Sequence, residues 1–135
     1  MRLGGCQCGA VRFSSTGEAL ALYICHCREC QRQSASAFGM SLQVSRAGLT
    51  VLSGEPKNWS RATDSGQRLN CVFCGACGSQ LWHERDAASA TVTIKAGCLD
   101  EPADISDATH IWTKRKLAGV VIPEGARQFP GEPSD

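Results

Sequence analysis

The sequence predicts a small, mainly β domain with little helix, held together by zinc. Three observations predict it. Short runs of apolar and β-branched residues alternate with turn-forming residues along the chain. Nine cysteines fall into three tight groups with one residue apart. The core is thin, because Leu, Val, Ile and Phe together fill 26 of 135 positions, about the level at which unaided folding becomes doubtful. A structural zinc contributes on the order of 10–16 kcal/mol in small metal-dependent folds, enough to offset that deficit.

Strands are expected at 10–14, 19–24, 37–44, 49–52, 68–72, 80–84, 91–96 and 109–114. The segment 90–96 alternates small or polar with apolar residues, Val92 and Ile94 among them, as a half-buried strand does. A short helical turn is expected at 29–33, after the second cysteine group. Glycines at 9, 17, 48, 54, 66, 75, 78 and 97 punctuate the strands and are expected to supply positive φ at tight turns. Residues 1–122 read as one domain, and 123–135, with three prolines and two glycines, as an irregular tail.

The formal charge is +1, and seven zinc-bound thiolates would turn it slightly negative. That balance excludes the basic footprint of a nucleic-acid binder. The longest apolar run, 19–24, is far too short to span a bilayer. The start Met1-Arg2-Leu3-Gly4-Gly5 carries no apolar signal segment. A cytoplasmic setting with reduced thiols is expected, which makes a disulfide framework the weaker reading. The odd cysteine count agrees.

Thiolates one or two residues apart reach a common centre from one turn, and zinc favours such tetrahedral sulfur ligands. Cys74-Gly75-Ala76-Cys77-Gly78 has the spacing of a zinc knuckle, and Cys6-Gln7-Cys8-Gly9 offers a shorter pair. Together they make a closed four-thiolate site. Cys25, Cys27 and Cys30 supply three sulfurs from one segment. Either a fourth position stays open, as in catalytic sites, or Cys71 or Cys98 closes it. Spacing does not choose between them.

Gly5-Cys6-Gln7-Cys8-Gly9-Ala10-Val11-Arg12 resembles the opening of the glutathione-dependent formaldehyde-activating enzyme family, which also includes centromere protein V. Cys25-His26-Cys27-Arg28-Glu29-Cys30 is similar to its second motif, and Phe73-Cys74-Gly75-Ala76-Cys77-Gly78-Ser79 to its third. Ala96-Gly97-Cys98-Leu99-Asp100 and His110-Ile111-Trp112 resemble later landmarks, although Leu117-Ala118-Gly119 stands where many members carry a tryptophan. The resemblance implies a β-tent of several bent antiparallel sheets. It implies two zinc ions, a structural one on Cys6, Cys8, Cys74 and Cys77 and a catalytic one on Cys25, Cys27 and Cys30. The implied activity is reversible addition of glutathione to formaldehyde, a carbon–sulfur lyase reaction.

Glutathione carries two carboxylates, so cations are expected near the triad. Arg28 and Arg32 are closest in sequence; Lys114, Arg115 and Lys116 read more simply as a solvated face. His26 alternates with two ligands, so on an extended segment it points away from the metal into packing. Trp59, Trp82, Trp112 and Phe38 read as core or pocket wall. Two other functions stay in view: a non-catalytic zinc module presenting a surface to a partner, and a thiol redox or metal-buffering protein.

Overall fold

Ten strands and one α-helix form among the described residues, 1–63, 66–86 and 88–133, of this computed structural model. Ser134 and Asp135 of the expected tail lie outside them. The strands are β1 (Arg2–Gly5), β2 (Arg12–Ser15), β3 (Ala21–Cys25), β4 (Gly39–Ser45) and β5 (Leu49–Ser53). They continue with β6 (Lys57–Ala62), β7 (Arg68–Phe73), β8 (Gln80–Glu84), β9 (Thr91–Lys95) and β10 (Thr109–Ile111). The helix, α1, is Arg28–Ser34, and the strands make one three-stranded and one seven-stranded sheet. The fold is mainly β.

The chain forms two compact units. The first comprises Met1–Leu20 and Leu42–Ala103. Here β1, β2 and β5 pair antiparallel in that order, and β9, β8, β7 and β6 follow one another as antiparallel neighbours. Alternation along β9 turns Val92 and Ile94 inward, and they join Phe13, Val44 and Leu81 of β8, whose middle three residues are all buried. Phe13 meets Trp82 edge-on at 5.6 Å between ring centroids, a favoured aromatic geometry. The second unit comprises Ala21–Ser41 and the chain from Asp104 onward. In it β10 pairs with β3 in parallel, His110 opposite Ile24 and Ile111 opposite Cys25. Residues 127–131 run alongside: Phe129 N–H donates to His110 O at 2.9 Å and Trp112 N–H to Gly131 O at 3.0 Å.

Two strands escape the sequence reading. β1 is Arg-Leu-Gly-Gly, which reads as a turn. Its glycines are there for close approach, since a Cβ on Gly4 would stand 2.6 Å from the Phe13 ring and 2.7 Å from Cys98 O. β6 is Lys-Asn-Trp-Ser-Arg-Ala, polar and exposed along the sheet edge, so it lacks apolar alternation. Trp59 there is 57% exposed rather than core. The strand expected at 109–114 ends at Ile111, because Trp112 takes a left-handed φ of 57° and a 3-10 turn, Thr113–Arg115, follows. Gly48 does not take positive φ; it is required because a Cβ would lie 2.3 Å from Thr16 O.

Candidate metal centres

In the first unit, Cys6 and Cys8 lie in the turn after β1, and Cys74 and Cys77 in the turn after β7. Each turn closes on itself. Gly9 N–H donates to Cys6 O at 3.1 Å, and Gly78 N–H to Cys74 O at 2.8 Å. Gly9 and Gly78 both adopt the positive φ that such closure needs, 82° and 81°. Gln7 N–H joins the turns by donating to Ser79 Oγ at 2.9 Å. The four sulfurs lie within 4.8 Å of one another, with Cys6 to Cys8 at 3.6 Å and Cys8 to Cys74 at 3.8 Å. A tetrahedral zinc with Zn–S of about 2.3 Å has sulfur–sulfur edges of about 3.8 Å, so this donor set fits zinc.

Backbone donors stabilise charge on these sulfurs. Val11 N–H reaches Cys6 Sγ at 3.2 Å and holds that thiol below its ordinary pKa. The Ser79 hydroxyl, 3.2 Å from Cys77 Sγ, brings Cys77 down to about 5. The Ala10 amide favours ionised Cys8, but the neighbouring thiols outweigh it and raise Cys8 to about 11. Cys6 and Cys74 are buried, whereas Cys8 and Cys77 are exposed.

In the second unit, Cys25 ends β3, Cys27 is the N-cap of α1, and Cys30 sits in its first turn. Cys30 N–H donates to Cys27 Sγ at 3.3 Å, so a sulfur takes the capping place usually held by an oxygen. Ala35 closes the helix with a left-handed φ of 51°. The three sulfurs lie within 4.8 Å of one another. Hydrogen bonds from Cys25 and Cys30 draw Cys27 far below the ordinary thiol range, while hydrogen bonds with Cys27 and Cys30, together with burial, push Cys25 far above it. Bringing three thiols together thus makes their ionisation unequal, and a bound cation would offset the charge of their thiolate forms. That donor chemistry also fits zinc.

His26 lies outside this sulfur group and is fully buried. Its Nε2 is 2.9 Å from His110 Nδ1, with the rings stacked at 5.1 Å and Phe38 edge-on at 5.7 Å. Burial first, then the charges of His110 and Lys116, lowers its pKa; burial alone lowers that of His110. Cys71, buried opposite His83 on β7, and Cys98 belong to neither sulfur group. The Cys98 thiol lies 3.5 Å from Leu81 O, and burial raises it to about 12.

Arg28 and Arg32 are exposed on α1. Gln31, which the sequence did not single out, is the buried residue of that helix. Its Oε1 accepts from Arg28 Nη1 at 2.8 Å, while Nε2 donates to His26 O at 2.8 Å and Arg115 O at 2.9 Å. A polar residue on the inward side of a metal-motif helix was the available signal. Its distant partner was not.

These features define a class: mainly β proteins whose cysteines gather into two groups able to hold metal ions. The model of the glutathione-dependent formaldehyde-activating enzyme family matches residues 1–115, and the chain belongs to that family. A crystal structure of a Rhodobacter sphaeroides protein shares the fold, with a TM-score of 0.60 and 21% identity over 80% of this chain and 98% of the other. No helix among the described residues is long and apolar enough to cross a membrane.

Proposed function

We propose that this protein is a zinc-dependent carbon–sulfur lyase of the cytoplasm, adding a small aldehyde such as formaldehyde to a thiol such as glutathione, or removing it. One observation carries the reading: three sulfurs converge in the second unit and four in the first. Three protein ligands leave one tetrahedral position for a visiting thiol or carbonyl oxygen, and four leave none. Cys25, Cys27 and Cys30 are thus the catalytic ligands, and Cys6, Cys8, Cys74 and Cys77 the structural ones. Zinc on the triad supplies a Lewis acid that lowers the pKa of a thiol or polarises a carbonyl.

The chain holds and orients. Pairing of Ile111 with Cys25 fixes the strand end, and the Cys30 N–H fixes Cys27. Burial keeps His26 and His110 neutral at neutral pH, so they pack and orient the loop rather than carry charge. Arg28 and Arg32 offer cations to a carboxylate-bearing thiol. The substrate thiolate donates its electron pair to the aldehyde carbon and a C–S bond forms. The C=O π pair moves to oxygen, which takes a proton to give the S-hydroxymethyl adduct. The reverse breaks the same bond.

Cys30→Ser tests the assignment. It should abolish adduct formation from glutathione and formaldehyde and remove one of two zinc equivalents, while circular dichroism stays unchanged. Full activity in that variant refutes the triad's role.

A further inference from the structure

We propose that the C-terminal segment 127–132 is a strap that positions the sulfur triad, acting through β10, His110 and His26. The inference deepens the reading of Cys25, Cys27 and Cys30 as metal ligands and rests on it. His26 stands between two of those ligands and is fully buried, so its close-packed surroundings limit where the flanking backbone can go. Its polar groups are held one by one. The His26 N–H donates to Ile111 O at 3.0 Å, and its carbonyl accepts from Gln31 Nε2 at 2.8 Å. The same Nε2 donates to Arg115 O at 2.9 Å. The ring is anchored through its own Nε2, 2.9 Å from His110 Nδ1 across 84 positions of sequence. Nδ1 of His26 is buried without a partner among the described residues, so the bond to His110 is the polar hold on this imidazole.

Most of these holds come from β10 and the turn after it, and β10 is only three residues long, at the edge of its sheet. So short a strand needs support from a further neighbour. Alternate residues of a strand turn their backbone groups to opposite sides. Ile111 O faces His26, whereas His110 turns its backbone to the strap, its N–H donating to Arg127 O and its carbonyl accepting from Phe129 N–H, both at 2.9 Å. Trp112 N–H donates to Gly131 O at 3.0 Å and Thr113 N–H to Phe129 O at 3.1 Å. The Trp112 indole Nε1 adds a bond to Glu132 Oε1 at 2.9 Å. Pro130 biases Phe129 toward the extended backbone that such pairing needs. A stretch whose prolines and glycines read as irregular therefore lies strand-like against the strand that grips His26. Partners that orient ligands from outside the coordination sphere typically carry 10–100-fold in metal affinity. His110 is such a positioning residue, and the strap is what holds it.

Cobalt(II) titration of the metal-free protein tests this, followed by sulfur-to-metal absorption and by competition with a chelator. Cys30→Ser supplies the spectrum of the four-sulfur group alone, so the triad's share is read by difference. Phe129→Pro keeps an extended backbone but deletes the N–H given to His110 O. His110→Leu deletes the bond to His26. Each should weaken cobalt at the triad by roughly 10- to 100-fold and shift its bands, with affinity at the four-sulfur group unchanged. His110→Asn, whose amide can stand in for the ring nitrogen, should bind and absorb as wild type does. Unchanged triad affinity in Phe129→Pro or His110→Leu, equal weakening at both sulfur groups, or an asparagine variant as weak as the leucine one overturns the strap. If Phe129→Pro or His110→Leu fails to fold, Glu132→Ala decides. It removes only the exposed acceptor of the Trp112 indole and should weaken the triad about threefold; no change there overturns the strap as well. Wild-type protein taking up a single cobalt would remove the metal reading of the triad itself, and the strap's role with it.

Discussion

The two sulfur groups are built from the same side chain and differ in how the chain delivers it. Four sulfurs come from two turns far apart in sequence, joined by the Gln7–Ser79 hydrogen bond. The other three come from a single strand-to-helix passage six residues long, from Cys25 to Cys30. The fuller group is not the better hidden one, because Cys8 and Cys77 are exposed. Exposure therefore does not separate the two groups. What separates them is how many sulfurs one segment presents before its backbone turns away into α1.

The sharpest break of this comparison is a pair of single substitutions. Cys74 is 1% exposed and tethers the loop after β7. Cys74→Ser should abolish the cooperative thermal transition, since a structural zinc worth on the order of 10–16 kcal/mol rivals the whole stability of a domain. Cys30→Ser should keep that transition. If the triad variant unfolds and Cys74→Ser does not, the roles are reversed. Next in size is Phe13→Ala, which removes a fully buried ring packed on Trp82. It should cost about 3–5 kcal/mol in denaturant melts, and a loss under 1 kcal/mol would show the first unit relying on metal rather than packing.

Ala35→Gly sharpens the triad side. A left-handed helix cap suits glycine, so this change should stabilise by about 1 kcal/mol in the same melts with zinc content unaltered. A loss would mean that Ala35 contributes something besides its backbone. The smallest effect is pH-dependent. Arg12 bonds Asp100 and holds its carboxyl below the usual range. A depressed folded pKa gives stability that is present above the unfolded value of about 3.9 and lost as pH falls through the folded one. The melting difference between wild type and Asp100→Asn should therefore be small at pH 6, as for an exposed pair, and vanish in acid. A difference that grows in acid would contradict this.

Short-range features were legible in the sequence. β9 forms at Thr91–Lys95, within the alternating segment 90–96, and the sulfurs of each short motif converge because spacings of one and two residues leave little choice. β1 was hidden because glycines chosen for close packing look the same as glycines chosen for turning. β6 was hidden because an edge strand need not bury alternate residues. Gln31 with Arg115 was beyond reach for another reason: no local pattern announces a hydrogen bond across 84 positions. The fold class and the sulfur groups were readable, and the surroundings of the triad were not.

Cys27 has a double duty with a thermodynamic consequence. The sulfur that caps α1 is also one of the three that face a common centre. Ion capture and ordering of the first helical turn then become linked equilibria, each favouring the other. Deuterium exchange at the Cys30 and Gln31 amides would read the occupancy of that centre, slowing as it fills without any view of the ion itself.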